Sequence, residues 1–239
     1  MSSQPAITVY FLGASRAIRI PWLLEELNVP YTLETSQRNP AGVSPQDFKD
    51  KIPAPLKKSP TILVKGGASD GTDLVVQESG AIVEYLVESF DKAGKLLPRD
   101  VAERCRAFEW LHAAEGTFML HALAILYARW KIPEAAREYL AEMEQGMSTN
   151  VLNDFMWIEG ALTEQKRKGS EFLVGSELSV ADLMMGFSVE FILERKLGTE
   201  RGGWPETEAW LGRMMGRGAY QRAVERSGYT LDSKGQFRT

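Results

Sequence analysis

The chain reads as an α/β domain of order β-α-β, loop, β-β-α, followed by an all-helical domain. Two observations carry that reading. Short β-branched and aromatic runs alternate with helical stretches as far as Phe90, and from there to about Met215 every segment has helical periodicity. The polar stretch Asp91-Lys92-Ala93-Gly94-Lys95 separates the two regimes and puts the domains at residues 1–92 and 93–239. At 239 residues the chain exceeds the usual size of one domain, and its hydrophobic share of 44% suffices for two cores.

Ile7-Thr8-Val9-Tyr10-Phe11-Leu12 has the pattern of a buried strand and stops at Gly13. Ser15 then suits the N-cap of a helix running through Leu27. Pro21 inside that helix removes a backbone hydrogen bond at a cost of about 3 kcal/mol, which predicts a kink or an irregular first turn. Pro30-Tyr31-Thr32-Leu33-Glu34-Thr35 reads as a second strand, parallel to the first because a helical crossover joins them. A loop containing Pro and Gly follows at residues 39–45. Residues 61–64 and 73–76 flank the glycine-rich Lys65-Gly66-Gly67-Ala68-Ser69-Asp70-Gly71, the pattern of a hairpin, and a helix begins at Glu78 or Ser79.

Past the linker, Asp100-Val101-Ala102-Glu103 has the spacing of a capping box and opens a long helix toward Trp130. Two further helices are expected between Glu134 and Lys168. Ser179-Val180-Ala181-Asp182 is a second cap of this kind, with Leu178 before it and Leu183 one turn inside as a hydrophobic staple. From Arg217 the glycine-bearing polar sequence predicts an irregular tail.

With 28 basic and 32 acidic residues and a pI near 5.4, the surface is mildly acidic overall, which argues against sequence-independent nucleic-acid binding. The single cysteine, Cys105, excludes an internal disulfide and any Cys-x-x-Cys redox pair, fits a reducing cytoplasmic setting, and is expected to be buried and inert. Met1-Ser2-Ser3-Gln4-Pro5 lacks the blocks of a signal peptide, and no apolar run approaches the ~18 residues of a membrane span. The two histidines, His112 and His121, fall on opposite faces of one expected helix, and no other cluster has ligand spacing, so no metal is expected.

Two motifs together look like a grip for a small zwitterionic peptide. A helix starting at Glu78 or Ser79 points unpaired N–H groups and a hydroxyl at a ligand carboxylate, while Glu78 can meet an ammonium. Pro60, at the start of Thr61-Ile62-Leu63-Val64, donates no ladder hydrogen bond and suits a strand start or a cis turn, leaving the backbone of Ser59 for a bound peptide.

In this order and spacing, four segments make the chain resemble a cytosolic glutathione transferase. They are Ser15-Arg16 with Trp22-Leu23-Leu24-Glu25-Glu26-Leu27; Leu56-Lys57-Lys58-Ser59-Pro60; Glu78-Ser79-Gly80-Ala81-Ile82-Val83-Glu84-Tyr85-Leu86; and Ser179-Val180-Ala181-Asp182. The nearest branch looks like the microbial one with Ser-Arg at the first helix and Trp-x-x-x-x-Glu-Gly in the helical domain, here Trp110 to Gly116. The resemblance implies a thioredoxin-like N-terminal domain, an all-helical C-terminal domain, glutathione as co-substrate and a homodimer. It also implies that Glu78 and Ser79 bind the γ-glutamyl end and that the Ser59 backbone pairs with the cysteinyl unit beside a cis Pro60. Lys58 would then lie near the glycyl carboxylate. Ala54 departs from the branch, which usually has a histidine there.

The chemistry of such a protein needs a thiolate. A free thiol ionises near pH 8.5, and lowering that by about two units takes roughly 2.7 kcal/mol. One hydrogen bond to a charged atom is worth about 1.5 to 3 kcal/mol and a helix N-terminus adds about 0.3 to 1. Ser15 sits where a hydroxyl would suffice, unless it serves only as a cap. Arg16 is the second candidate, and Tyr10 the third, with strand alternation placing it beside Thr8 and Leu12 and opposite Val9 and Phe11. Leu12 stands where serine-using relatives often carry their hydroxyl, and no cysteine is near Ala14, which makes disulfide reduction improbable. Glu115, Met119 and Ala122 share a helical face and, with Leu12, are candidates for the substrate pocket. The expected activity is conjugation of glutathione to small hydrophobic electrophiles, with glutathione-dependent peroxide reduction as a side activity. The alternative is a non-catalytic glutathione-binding or regulatory protein.

Overall fold

The structure, a computed structural model, describes residues 6–231. They form two compact units, one of residues 6–93 together with 216–231 and one of residues 94–215.

In the first unit, strands β1 (Ile7–Leu12), β2 (Tyr31–Ser36), β3 (Thr61–Val64) and β4 (Leu74–Gln77) make one mixed sheet of order β2-β1-β3-β4. β1 and β2 are parallel, as the crossover requires, and β3 runs antiparallel to both β1 and β4. Alternation sorts the side chains. Ile7, Val9, Phe11, Ile62 and Val64 share one face and are essentially inaccessible. Tyr10 and Leu12 lie on the other, in an apolar cluster with Phe48, Ile52 and Ala54 against which Leu63 and Val75 pack.

Helix α1 (Arg19–Glu26) is entered through a single 3₁₀ turn, Arg16–Ile18. This irregular first turn is one of the two outcomes that Pro21 predicts, and Pro21 itself occupies the third position of α1. A short helix, α2 (Gln46–Lys51), stands inside what reads from sequence as loop. Six residues with Phe48 as the one buried position show no period, although Asp47 in the first turn and Lys49 and Lys51 in the last are placed as the helix dipole favours. Helix α3 (Ser79–Phe90) closes the domain.

The second unit opens with α4 (Val101–Ala113), capped by Asp100 Oδ1, which accepts from the N–H groups of Ala102 and Glu103; the return bond from Glu103 does not form. The helix runs on through a π-helical turn, Ala114–Met119, into α5 (Leu120–Lys131). The widened turn meets a side chain from a distant part of the sequence. Ser188 Oγ donates to the carbonyl of Ala114 at 3.0 Å, taking an acceptor from the helical ladder. A 3₁₀ segment (Glu134–Tyr139) leads into one 28-residue helix, α6 (Leu140–Arg167), where two helices are expected from sequence. Helices α7 (Val180–Glu194) and α8 (Pro205–Met215) complete the unit. α7 is apolar all round and almost wholly buried, as a central helix must be. Its capping box is complete. Asp182, with no exposed surface, accepts from Ser179 N–H and Oγ, from Leu173 N–H and from Trp210 Nε1. Burial pushes its carboxyl up, and these donors pull against that shift.

Two expectations are overturned. Cys105 is exposed on α4, because Ala107, Trp110 and Leu111 take the buried face of that helix. The stretch after Arg217 is not an irregular tail within the described residues: it forms α9 (Gly218–Ser227), which joins the first unit and so divides the chain differently from a simple cut at residue 92. Tyr220 meets Trp22 of α1 edge to face at 5.2 Å, Arg217 pairs with Glu26, and Arg222 and Arg226 both bind Glu25. Few apolar residues mark this helix in sequence, because ion pairs supply much of its contact. The expectations for residues 1–5 and for the tail beyond Leu231 lie outside the described residues.

Two outcomes follow from this packing. Asp182→Ala strands several buried donors and is expected to lower stability by about 3 kcal/mol or more, read as a shift in urea midpoint at unchanged slope. Burial works against ionisation of Glu25, but its bonds from Arg222, Arg226 and Tyr31 outweigh it and hold the carboxyl below its ordinary range. The stabilisation is then full above the unfolded carboxyl value of about 4.3 and is lost as pH falls through the depressed native value. Glu25→Gln is expected to cost about 1 kcal/mol at neutral pH and to flatten this acid limb in pH-dependent unfolding.

Candidate functional site

The site is built where β1, β3 and β4 end. Tyr10 pairs with Thr61 and Thr61 with Gln77, so Leu12, Ser59-Pro60 and Glu78-Ser79 leave the sheet at one edge. Adjacent strands are about 4.8 Å apart, which brings the three segments within reach of one small ligand.

Past Thr61 the antiparallel ladder meets Pro60, which has no N–H, and the Ser59–Pro60 peptide is cis. The Ser59 hydroxyl takes over from the ladder, accepting from Leu12 N–H at 2.9 Å and donating to the Tyr10 carbonyl at 2.8 Å. Its own main-chain N–H and C=O have no hydrogen-bond partner among the described residues. Lys58 is exposed, while the neighbouring Lys57 donates to the Ile52 carbonyl at the end of α2.

Beyond β1 the chain turns sharply. Ala14 has φ +50°, a left-handed conformation unusual for a residue with a Cβ. Ser15, buried, caps the 3₁₀ turn: its oxygen accepts from Ala17 N–H at 3.2 Å and its hydroxyl donates to the Leu12 carbonyl at 2.7 Å. A serine has one proton to donate, and here Leu12 holds it. Arg16 follows and is half-buried. Tyr10 belongs with Leu12 to the apolar cluster under α2, and burial first, with Glu34 beside it, raises its hydroxyl above the ordinary value, which makes it a weaker proton donor.

At the third strand end, β4 stops at Gln77 and α3 starts at Ser79, so Glu78 alone makes the strand-to-helix turn. It does so at φ +70°, ψ 120°, outside the left-handed helical basin, where a residue with a side chain carries roughly 1–3 kcal/mol of strain. Its carbonyl accepts from Ile82 N–H at 2.9 Å, and its exposed carboxylate neither caps the helix nor pairs with a cation among the described residues. The first N–H groups of α3 therefore point outward without acceptors. Ser79, 4% exposed, accepts a 3.0 Å hydrogen bond from Nη1 of Arg19, which has no exposed surface at all. Sequence reasoning passes over Arg19. The available sign is a lone arginine inside the apolar run Ala17-Ile18-Arg19-Ile20-Pro21-Trp22.

Of the residues expected to line a substrate pocket, Met119 and Ala122 are buried in the second unit and Glu115 partly so. The π turn across 114–119 spoils the simple i, i+4, i+7 face, since a wider turn rotates Glu115 relative to Met119. In the same unit His121 Nδ1 bonds Asp154 Oδ2 at 2.7 Å. Among the described residues no group of three or more His, Cys, Asp and Glu is placed to hold a metal, and no helix is long and apolar enough to cross a membrane.

Comparison with known proteins bears on this geometry. Residues 5–88 match the family model for the glutathione S-transferase N-terminal domain, and residues 120–218 the model for its C-terminal domain. Glutathione S-transferase 1 of Saccharomyces cerevisiae is 29% identical over 234 residues, covering 94% of this chain and 97% of its own. The glutathione S-transferase-like protein gedE of Aspergillus terreus is 30% identical over 229 residues, covering 91% and 93%. Among solved structures, a glutathione S-transferase from Actinobacillus pleuropneumoniae superposes with TM-score 0.76 at 23% identity over 97% of this chain and 99% of that one. Ure2p in complex with glutathione gives 0.73 at 21% over 93% and 100%. The mixed sheet with its flanking helices is thus the thioredoxin-like half, residues 94–215 form the all-helical half, and the chain belongs to the glutathione S-transferase family.

Proposed function

We propose that the first unit binds glutathione and promotes ionisation of its thiol for addition to small hydrophobic electrophiles, with reduction of organic peroxides as a further use of the same thiolate. One observation carries the binding reading. The three strand ends present complementary groups at one edge: an uncommitted carboxylate on Glu78, a donor cluster at the start of α3, and the unpaired main chain of Ser59. In this reading Glu78 receives the γ-glutamyl ammonium, Ser79 and the α3 amides receive its α-carboxylate, Ser59 pairs with the cysteinyl unit beside Pro60, and Lys58 serves the glycyl carboxylate. A homodimer in the cytoplasm belongs to the same reading.

Of the three candidates for thiol activation, the geometry favours Arg16. The Ser15 proton is held by Leu12, and a sulfur would gain that bond only by taking it from a buried carbonyl. Tyr10 is packed under α2 with its proton bound more tightly than usual. In this reading Arg16, which directly follows the Ser15 cap, supplies a cation whose charge favours the anion. The commitment of Ser15 also supports a second reading, a protein that binds glutathione without turning it over. Ure2p, a protein of similar fold, has been solved in complex with glutathione.

Calorimetric titration tests the binding half: Glu78→Gln is expected to weaken glutathione binding by about tenfold or more with the fold intact, and an unchanged affinity rejects the assignment. The pH dependence of thiolate absorbance in the bound complex tests the chemistry. A value depressed well below about 8.5 in the wild type, rising by about one unit in Arg16→Gln and little in Ser15→Ala, is expected; an undepressed wild-type value selects the non-catalytic reading.

A further inference from the structure

We infer that Arg19 is a positioning residue for the carboxylate end of the ligand, acting through Ser79. This rests on the glutathione reading above and adds to it a side chain that never touches the ligand.

Arg19 decides which way the Ser79 hydroxyl points. Its Nη1 donates to Ser79 Oγ at 3.0 Å, and a guanidinium has donors only. The hydroxyl must therefore accept from Arg19 and send its own proton elsewhere. Within the described residues that proton goes to no acceptor, and its immediate neighbours, the outward amides at the start of α3, are donors as well. The hydroxyl and the amides form a cluster of donors that lacks an acceptor, and an ionised carboxylate supplies one with two oxygens.

The arginine is also fixed where it stands. Arg19 has no exposed surface and its neighbours Ile18, Ile20 and Trp22 are buried too, so its guanidinium is held in one place against Ser79. α1 and α3 pack directly on one another, so Arg19 is held from one helix against the first residue of the next. The consequence is a preference for an α-carboxylate over a neutral group at that end of the peptide, set from beneath the helix start and separate from the ammonium contact of Glu78.

The test compares two tripeptides, glutathione and its analogue with a 4-aminobutanoyl group in place of γ-glutamyl, which keeps the ammonium and lacks the α-carboxylate. Binding of both is measured by calorimetry to the wild type, Arg19→Lys, Arg19→Met and Ser79→Ala, with thermal melts alongside. The expected result is that wild type prefers glutathione by about tenfold or more, and that Arg19→Lys, which keeps a charge and loses the fork geometry, and Ser79→Ala each remove most of that preference while affinity for the analogue moves less than about threefold. Their effects on glutathione are expected to be non-additive when combined. Equal weakening of both peptides in Arg19→Lys, or a preference that survives it, overturns the inference. Should Arg19→Met fail to fold, Arg19→Lys and Ser79→Ala carry the comparison. A wild-type protein that binds neither peptide rejects the glutathione reading itself, whereas one that binds both equally rejects only the role of Arg19.

Discussion

Everything at the functional edge depends on how the peptide groups of Leu12 are satisfied once β1 has outrun its neighbour. Pro60 cannot continue the ladder, so the Leu12 N–H turns to the hydroxyl of Ser59 and its carbonyl to the hydroxyl of Ser15. A buried backbone group left unpaired costs on the order of 1–3 kcal/mol, so the two serines are structural obligations before they are anything else. One of them also fixes the cis-proline segment against β1, and the other fixes the entry into α1. The same bond that makes Ser15 a good cap makes it a poor proton donor. A hydroxyl expected from sequence to do chemistry is thereby engaged in holding the strand end in shape.

The opposite end of the sheet edge is governed by a different constraint. Glu78 must convert strand into helix alone, and the conformation it adopts throws its carboxylate outward while leaving the first amides of α3 uncovered. Strain of this kind persists only where surrounding structure imposes it. Here the pairing of Gln77 with Thr61 fixes one side, and the Arg19–Ser79 bond and the Glu78–Ile82 bond fix the other. The second unit solves its comparable problem without strain: Asp182 collects donors from a loop, from its own helix cap and from α8, and so locks the entry of the central helix.

Legibility in the sequence followed periodicity and capping chemistry. The strands at Ile7–Leu12 and Thr61–Val64, the helix start at Ser79 and the box at Ser179–Asp182 were readable because each carries a local pattern that tertiary contact reinforces. The short helix α2 escaped because five polar residues around a single Phe have no period, and α9 escaped because its hold on α1 is made by Tyr220 on Trp22 and by Arg217, Arg222 and Arg226 reaching acids nearly two hundred residues away, which no window can contain. The π turn escaped for a related reason: its cause, the Ser188 hydroxyl, lies in another helix. In the site, Glu78, Ser79, Ser59 and Pro60 were legible as a motif. Arg19 was not, because a buried arginine in an apolar run is indistinguishable in sequence from a solvated one until the serine it binds is placed beside it.

The return of α9 to α1 has a consequence for biosynthesis. The native partners of Glu25 and Glu26 are separated from them by 191 to 201 residues, so they emerge from the ribosome only after the whole helical unit has been made. At roughly 5–20 residues per second the N-terminal sheet, complete at Gln77, waits roughly 7–30 seconds for α9 to end at Ser227 and cover Trp22, a period in which that aromatic surface is open to chaperones or to misassociation. A nascent chain of this protein is thus finished from its last segment backward, and the thioredoxin-like half, although first to be translated, is the last to close.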